Sequence, residues 1–143
     1  MTTAAGYSGR PLAQKLGLNS GATVTVIAPP SNYRKLLGSI SKSLIFNDTV
    51  ATNAAFVHLF VTKRAELQKR LRQIRSKLAD HGTVWVSWPK KTSGVETDVT
   101  EDLIRAVALP LQFVDVKVCA VDDVWSGLKL VIRREHRNSS NKK

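Results

Sequence analysis

Short apolar runs and helical patterns alternate along this chain, and that alternation constrains its fold more than any other feature. Val24-Thr25-Val26-Ile27-Ala28 is β-branched and apolar on both faces, which predicts a strand over 24–28 ended by Pro29 and Pro30. Phe56 to Val61 predicts a second buried strand, and Thr83 to Trp88 a third, ended by Pro89. Helical patterns lie around them. Pro11 suits the first turn of a short helix over 12–16, stopped by Gly17. Ser31 can cap a helix over 32–37, closed by Gly38. Over 63–79, with Thr62 as its N-cap, Leu67, Leu71, Ile74 and Leu78 recur at spacings of four, three and four, and Asp80-His81-Gly82 breaks the helix. Asp98 and Glu101 resemble a capping box for a helix over 99–109 that buries Val99, Leu103 and Val107.

Strands that alternate with helices need right-handed crossovers and give a mostly parallel sheet. The last apolar runs, 113–121 and 128–134, are joined by Asp122 to Gly127, short enough for an antiparallel hairpin with one antiparallel strand at the sheet edge. The segment 39–55 is irregular, with Leu44-Ile45-Phe46 as its one candidate strand. The expected fold class is α/β. It is a single three-layer domain over 1–135 with a mostly parallel sheet ending in an antiparallel hairpin, followed by a basic, disordered tail over 136–143.

Length agrees with one domain at 143 residues. Lysine and arginine number 22 against 11 acidic residues, a net charge of +11 that favours polyanionic partners such as a nucleotide or nucleic acid. That charge is divided. Seven basic residues (Lys63, Arg64, Lys69, Arg70, Arg72, Arg75 and Lys77) ring the helix over 63–79 as on a solvated outer helix. Five more lie from Arg133 to the end, and only Lys90 and Lys91 follow a central strand. Cys119 is the one cysteine, so no disulfide can form within the chain, which suits a reducing compartment. No apolar leader precedes Gln14 and no apolar run reaches membrane-spanning length. The expectation is a cytoplasmic chain with no membrane partner.

The strongest candidate site is Ser87-Trp88-Pro89-Lys90-Lys91-Thr92-Ser93-Gly94, at the carboxyl end of a central strand, where open α/β sheets bind ligands. Lys90 and Lys91 would neutralise an anion, Ser93 and Gly94 would donate hydrogen bonds, and Trp88 would stack on a planar base. Ser87 opens the same loop. Tyr7 and Ser8, with Gly9 and Arg10, are candidates for a lid over the sheet edge. Asp122 and Asp123 read as turn residues rather than an acid–base pair, and Trp125 as a core contact or a contact to a second copy in a homodimer. His58 reads as a satisfied core histidine and Cys119 as packing. No metal-ligand spacing, phosphate-binding glycine loop or nucleophile elbow is present, so no metal site is expected and no catalytic residue is assigned.

The second half of the chain resembles the Rossmann-like methyltransferase fold, in which a helix ends in a glycine turn before a central strand, as over 71–88, and the last strands form a hairpin. That resemblance implies S-adenosylmethionine as cofactor, held by a glycine-rich turn after the first strand and an acidic residue ending the second. Here the turn is Ala28-Pro29-Pro30-Ser31-Asn32-Tyr33, with prolines in place of glycines, and Asp48 is the only acidic candidate. Four groups of residues carry a closer resemblance: Gly6-Tyr7-Ser8-Gly9 with Pro11-Leu12; Val57-His58-Leu59-Phe60-Val61-Thr62; Trp85 to Lys91 with Ser93-Gly94; and Val116 to Asp122 with Trp125 to Lys129. They are similar to a small bacterial family, domain of unknown function 3052, which implies no activity. The favoured expectation is a non-catalytic domain binding an anionic ligand at the carboxyl edge of its sheet. The alternatives are a methyltransferase-like enzyme with a divergent cofactor turn, and a protein-interaction module.

Overall fold

The computed structural model describes residues 11–137. Tyr7 and Ser8 lie outside them. The elements run α1 (Leu12–Leu16), β1 (Thr23–Ile27), α2 (Tyr33–Leu37), β2 (Ile45–Asn47), β3 (Ala54–Phe60), α3 (Arg64–Lys77), β4 (Leu78–Pro89), α4 (Glu101–Ala108), β5 (Phe113–Ala120) and β6 (Trp125–Ile132). One six-stranded sheet has the order β2-β1-β3-β4-β6-β5. The strands β2, β1, β3 and β4 pair in parallel, while β6 pairs antiparallel with β4 on one side and β5 on the other.

Successive strand residues point to opposite faces, and the core divides accordingly. Val57, Leu59 and Val61 pack with Leu67, Leu71 and Ile74 of α3 and Ile104 of α4. Phe56, Phe60 and Trp85 pack on the other face with Leu12 and Leu16 of α1 and Tyr33 and Leu37 of α2. Helices therefore cover both faces, and the α/β three-layer expectation holds.

The position of β6 corrects the sequence expectation. The antiparallel strand is interior, and β5 takes the edge. Burial explains the exchange, because Leu128, Leu130 and Ile132 are fully buried, whereas Val114, Val116 and Val118 of β5 are exposed. Gly127 lets β6 approach β4, since a Cβ there would lie 3.3 Å from the Trp85 ring. A bulge between Asp115 and Lys117 interrupts β5 and blunts the exposed edge.

Helix caps also differ from expectation. The α4 helix begins at Glu101, with the Thr100 side chain accepting from the Leu103 N–H at 3.1 Å. Asp98 instead serves the other helix, its carboxylate accepting from the Arg64 N–H at 2.7 Å at the start of α3. Thr62 receives rather than caps, its carbonyl accepting from the Thr97 hydroxyl at 2.7 Å. Asp98 thus ties the loop after β4 to the carboxyl end of β3. Asp98→Ala is expected to cost about 1 kcal/mol, the usual value of a lost N-terminal cap, measured by urea unfolding.

At the far end, residues 134–136 form a helical turn and the Arg137 side chain donates to the Ile132 carbonyl at 2.7 Å. His136 and Arg137 of the expected tail take part in this turn and its hydrogen bonds. Among the described residues no helix is long and apolar enough to cross a membrane.

Candidate functional site: a cleft at the carboxyl ends of β1 and β2

The chain leaves β1 to form β2 on one side and returns to form β3 on the other, so the strand order reverses about β1. Open α/β sheets leave a crevice at such a reversal, beyond the carboxyl ends of the strands. In this molecule a cleft of 540 Å³ lies there. Pro29, Pro30 and Ser31 of the turn after β1, Arg34 of α2, and Phe46 and Asp48 at the end of β2 line it.

Each wall has a local cause. Ala28 leaves β1 in the left-handed region at φ 56°, a conformation that suits glycine and strains alanine. Pro29 and Pro30 then carry no N–H, and the Tyr33 N–H is donated to the Pro30 carbonyl at 3.1 Å. β2 is only three residues long, so its chain turns away immediately and presents Asp48 at the cleft. The Arg34 guanidinium lies 4.1 Å from the centre of the Phe46 ring.

Beneath the cleft runs a buried polar chain. The Tyr33 hydroxyl and His58 Nδ1 are 2.8 Å apart, and His58 Nε2 and the Ser87 hydroxyl are 2.8 Å apart. Phe60 stacks on the His58 ring with centroids 4.3 Å apart, and Tyr33 and Trp125 meet Phe60 edge-on. Burial disfavours the imidazolium and lowers the His58 pKa to about 3. Burial also raises that of Tyr33. With both ring nitrogens engaged and the side chain fully buried, His58 acts as a structural link. It joins the first residue of α2 to β3 and β4, and so holds one wall of the cleft against the sheet.

The residues expected to form a site after β4 fall differently. Ser87 is fully buried on His58. Trp88 is 8% exposed and packs into the core beneath α3 and α4, so its faces are taken by apolar neighbours. Lys90 is half-buried, with its N–H donated to the Val124 carbonyl at 2.7 Å, and Lys91 is exposed. Ser93 bonds within its own turn, donating to the Lys90 carbonyl at 2.7 Å and accepting from the Val95 N–H at 3.1 Å, and Gly94 closes that turn at φ 79°. Lys90, Lys91, Ser93 and Gly94 lie together beyond β4, two strands from β1. The Asp122 carboxylate accepts from the Val124 and Trp125 N–H groups at 2.9 and 2.8 Å, the turn role expected of it. Among the described residues no group of acidic, histidine or cysteine side chains could hold a metal ion.

Arg34 and Phe46 are the cleft residues that sequence reasoning missed. The Phe46–Asn47–Asp48 run sits in an irregular segment, and nothing in it announces that Phe46 meets Arg34, twelve residues earlier in the chain.

No family model and no curated protein matches the chain. Solved structures do. A protein assigned as a type 11 methyltransferase from Sulfolobus solfataricus superposes with a TM-score of 0.62 at 15% identity, over 87% of this chain and 91% of that one. A SAM-dependent methyltransferase from Aquifex aeolicus gives 0.60 at 10% identity, over 89% and 91%. DhpI, solved as a complex with SAH, gives 0.58 at 10% identity, over 87% and 83%. Identities this low speak to fold alone, and they show that the chain has the Rossmann-like fold of SAM-dependent methyltransferases.

Proposed function

We propose that this domain binds S-adenosylmethionine, or the product SAH, in the cleft at the carboxyl ends of β1 and β2. The observation that carries this reading is Asp48. The only acidic candidate for the end of the second strand stands one residue past β2 and lines the same cleft as the turn after β1. A carboxylate there can accept hydrogen bonds from both hydroxyls of a ribose. Ser31 adds a hydroxyl and Phe46 an aromatic ring to the same cleft. The cleft volume falls in the range typical of small-ligand sites. The residues therefore fit the nucleoside part of the cofactor, and the chain departs from a glycine-rich site at Pro29 and Pro30.

When bound, S-adenosylmethionine supplies an electrophilic methyl group. The chain's own contribution is binding. Asp48 orients the sugar, Tyr33 and His58 fix α2 as a wall, and the prolines stiffen the turn. A thermal shift tests this. Ligand at about a hundredfold excess over its Kd stabilises the native state by about 2.7 kcal/mol, so SAH is expected to raise the melting temperature by several degrees. No rise at millimolar SAH would overturn the proposal.

A second reading is a nucleotide or nucleic-acid contact through Lys90 and Lys91, supported by the exposure of Lys91 beyond β4. Replacing both lysines with alanine would then abolish salt-dependent binding to an oligonucleotide.

A further inference from the structure

Turns that hold the acidic end of a ligand at this place in an α/β sheet do so with backbone N–H groups. In this chain the turn is poorly equipped for that work. Pro29 and Pro30 have no N–H, and that of Tyr33 is donated to the Pro30 carbonyl. The α2 helix has five residues, too short to act as an anion site through its end. Among the described residues that line the cleft, Arg34 is the one cation and Asp48 the one acid.

Arg34 is positioned as a ligand-binding group. Its guanidinium lies 4.1 Å from the centre of the Phe46 ring, and no carboxylate among the described residues pairs with it. By contrast, Arg70 and Arg133 each pair with one carboxylate and Arg105 with three. A guanidinium packed on an aromatic face keeps its N–H edge available, and that edge matches a carboxylate or phosphate in fork geometry.

We infer that Arg34 replaces the backbone of the β1 turn as the group that binds the acidic end of the nucleoside ligand, an inference that rests on the cofactor-binding reading above. The ligand it selects carries ribose hydroxyls for Asp48 and an acidic group within reach of Arg34. In S-adenosylmethionine and SAH that group is the amino-acid carboxylate; in a nucleotide it is a phosphate.

Calorimetric titration of the full chain separates these. SAH, 5′-methylthioadenosine (the same nucleoside without the amino acid) and ADP are titrated into wild type, Arg34→Ala and Arg34→Lys. Wild type is expected to bind SAH about tenfold or more tightly than 5′-methylthioadenosine, the value of a charge-assisted pair. Arg34→Ala should remove that advantage and leave 5′-methylthioadenosine binding unchanged within about twofold, while Arg34→Lys retains part of it. Equal SAH affinity in wild type and Arg34→Ala would overturn the role of Arg34 and leave the cleft reading standing. A parallel loss for 5′-methylthioadenosine would also overturn it, making Arg34 a stacking surface only. Binding of ADP alone, lost in Arg34→Ala, would support Arg34 as the anion ligand and overturn S-adenosylmethionine as the cofactor. No binding of any of the three to wild type would overturn the cofactor reading and Arg34's role with it.

Discussion

His58→Ala is expected to destabilise the fold by about 3–5 kcal/mol, a large fraction of the roughly 5–15 kcal/mol available to a domain of this size. Two effects add. The deletion leaves a cavity beneath Phe60, and it strips the Tyr33 and Ser87 hydroxyls of the partner that each holds at 2.8 Å. Urea unfolding at neutral pH measures the loss, and a change below about 1 kcal/mol would mean that the polar chain does not hold α2 to the sheet. A pH dependence accompanies it. The folded-state pKa of His58 is depressed to about 3, below the unfolded value of 6.5. The unfolded chain therefore binds a proton that the native state refuses. The stabilisation from a neutral His58 is complete above pH 6.5 and is lost as the pH falls from there toward 3. The slope it contributes is about 1.4 kcal/mol per pH unit. His58→Gln removes the titrating group, so wild type should lose stability more steeply than this variant between about pH 6 and 4. Parallel curves would show that His58 titrates in the native state.

Asp48→Ala is expected to weaken SAH binding by about a hundredfold, since two hydrogen bonds to a charged acceptor disappear together. Asp48→Asn keeps one acceptor and should fall between. Asp48 is exposed, so both variants should unfold like wild type in the absence of ligand. The contrast is useful beside His58, where the loss is of fold rather than of binding. Calorimetry reads the affinities, and unchanged SAH binding in Asp48→Ala would remove the sugar contact from the proposal.

The architecture was readable wherever apolar periodicity was strong. Val24 to Ile27, Phe56 to Phe60 and the Leu67, Leu71, Ile74 stripe each announce one element and one buried face. Strand order was less accessible. Nothing local says that β6 slips between β4 and β5, because the difference lies in which strand finds two partners, a tertiary property. Capping residues misled for a related reason: Asp98 stands in sequence before α4 but in space before α3. The candidate site divides in the same way. Asp48 was identifiable as the only acidic candidate for the end of the second strand, and the structure supplies its neighbours. Ser87 and Trp88 carried polar and aromatic signals that burial has absorbed, one into the His58 pair and the other into the core. Arg34 and Phe46 meet only after the chain has passed through 38–45, where no periodicity guides the eye.

The most direct test of the cleft is an amide chemical-shift titration of the ¹⁵N-labelled chain with SAH. Saturable shifts confined to Ser31 through Arg34 and Phe46 through Asp48 are the expected result. Shifts centred on Lys90 through Gly94, or no shifts at millimolar SAH, would contradict a cofactor site at the ends of β1 and β2.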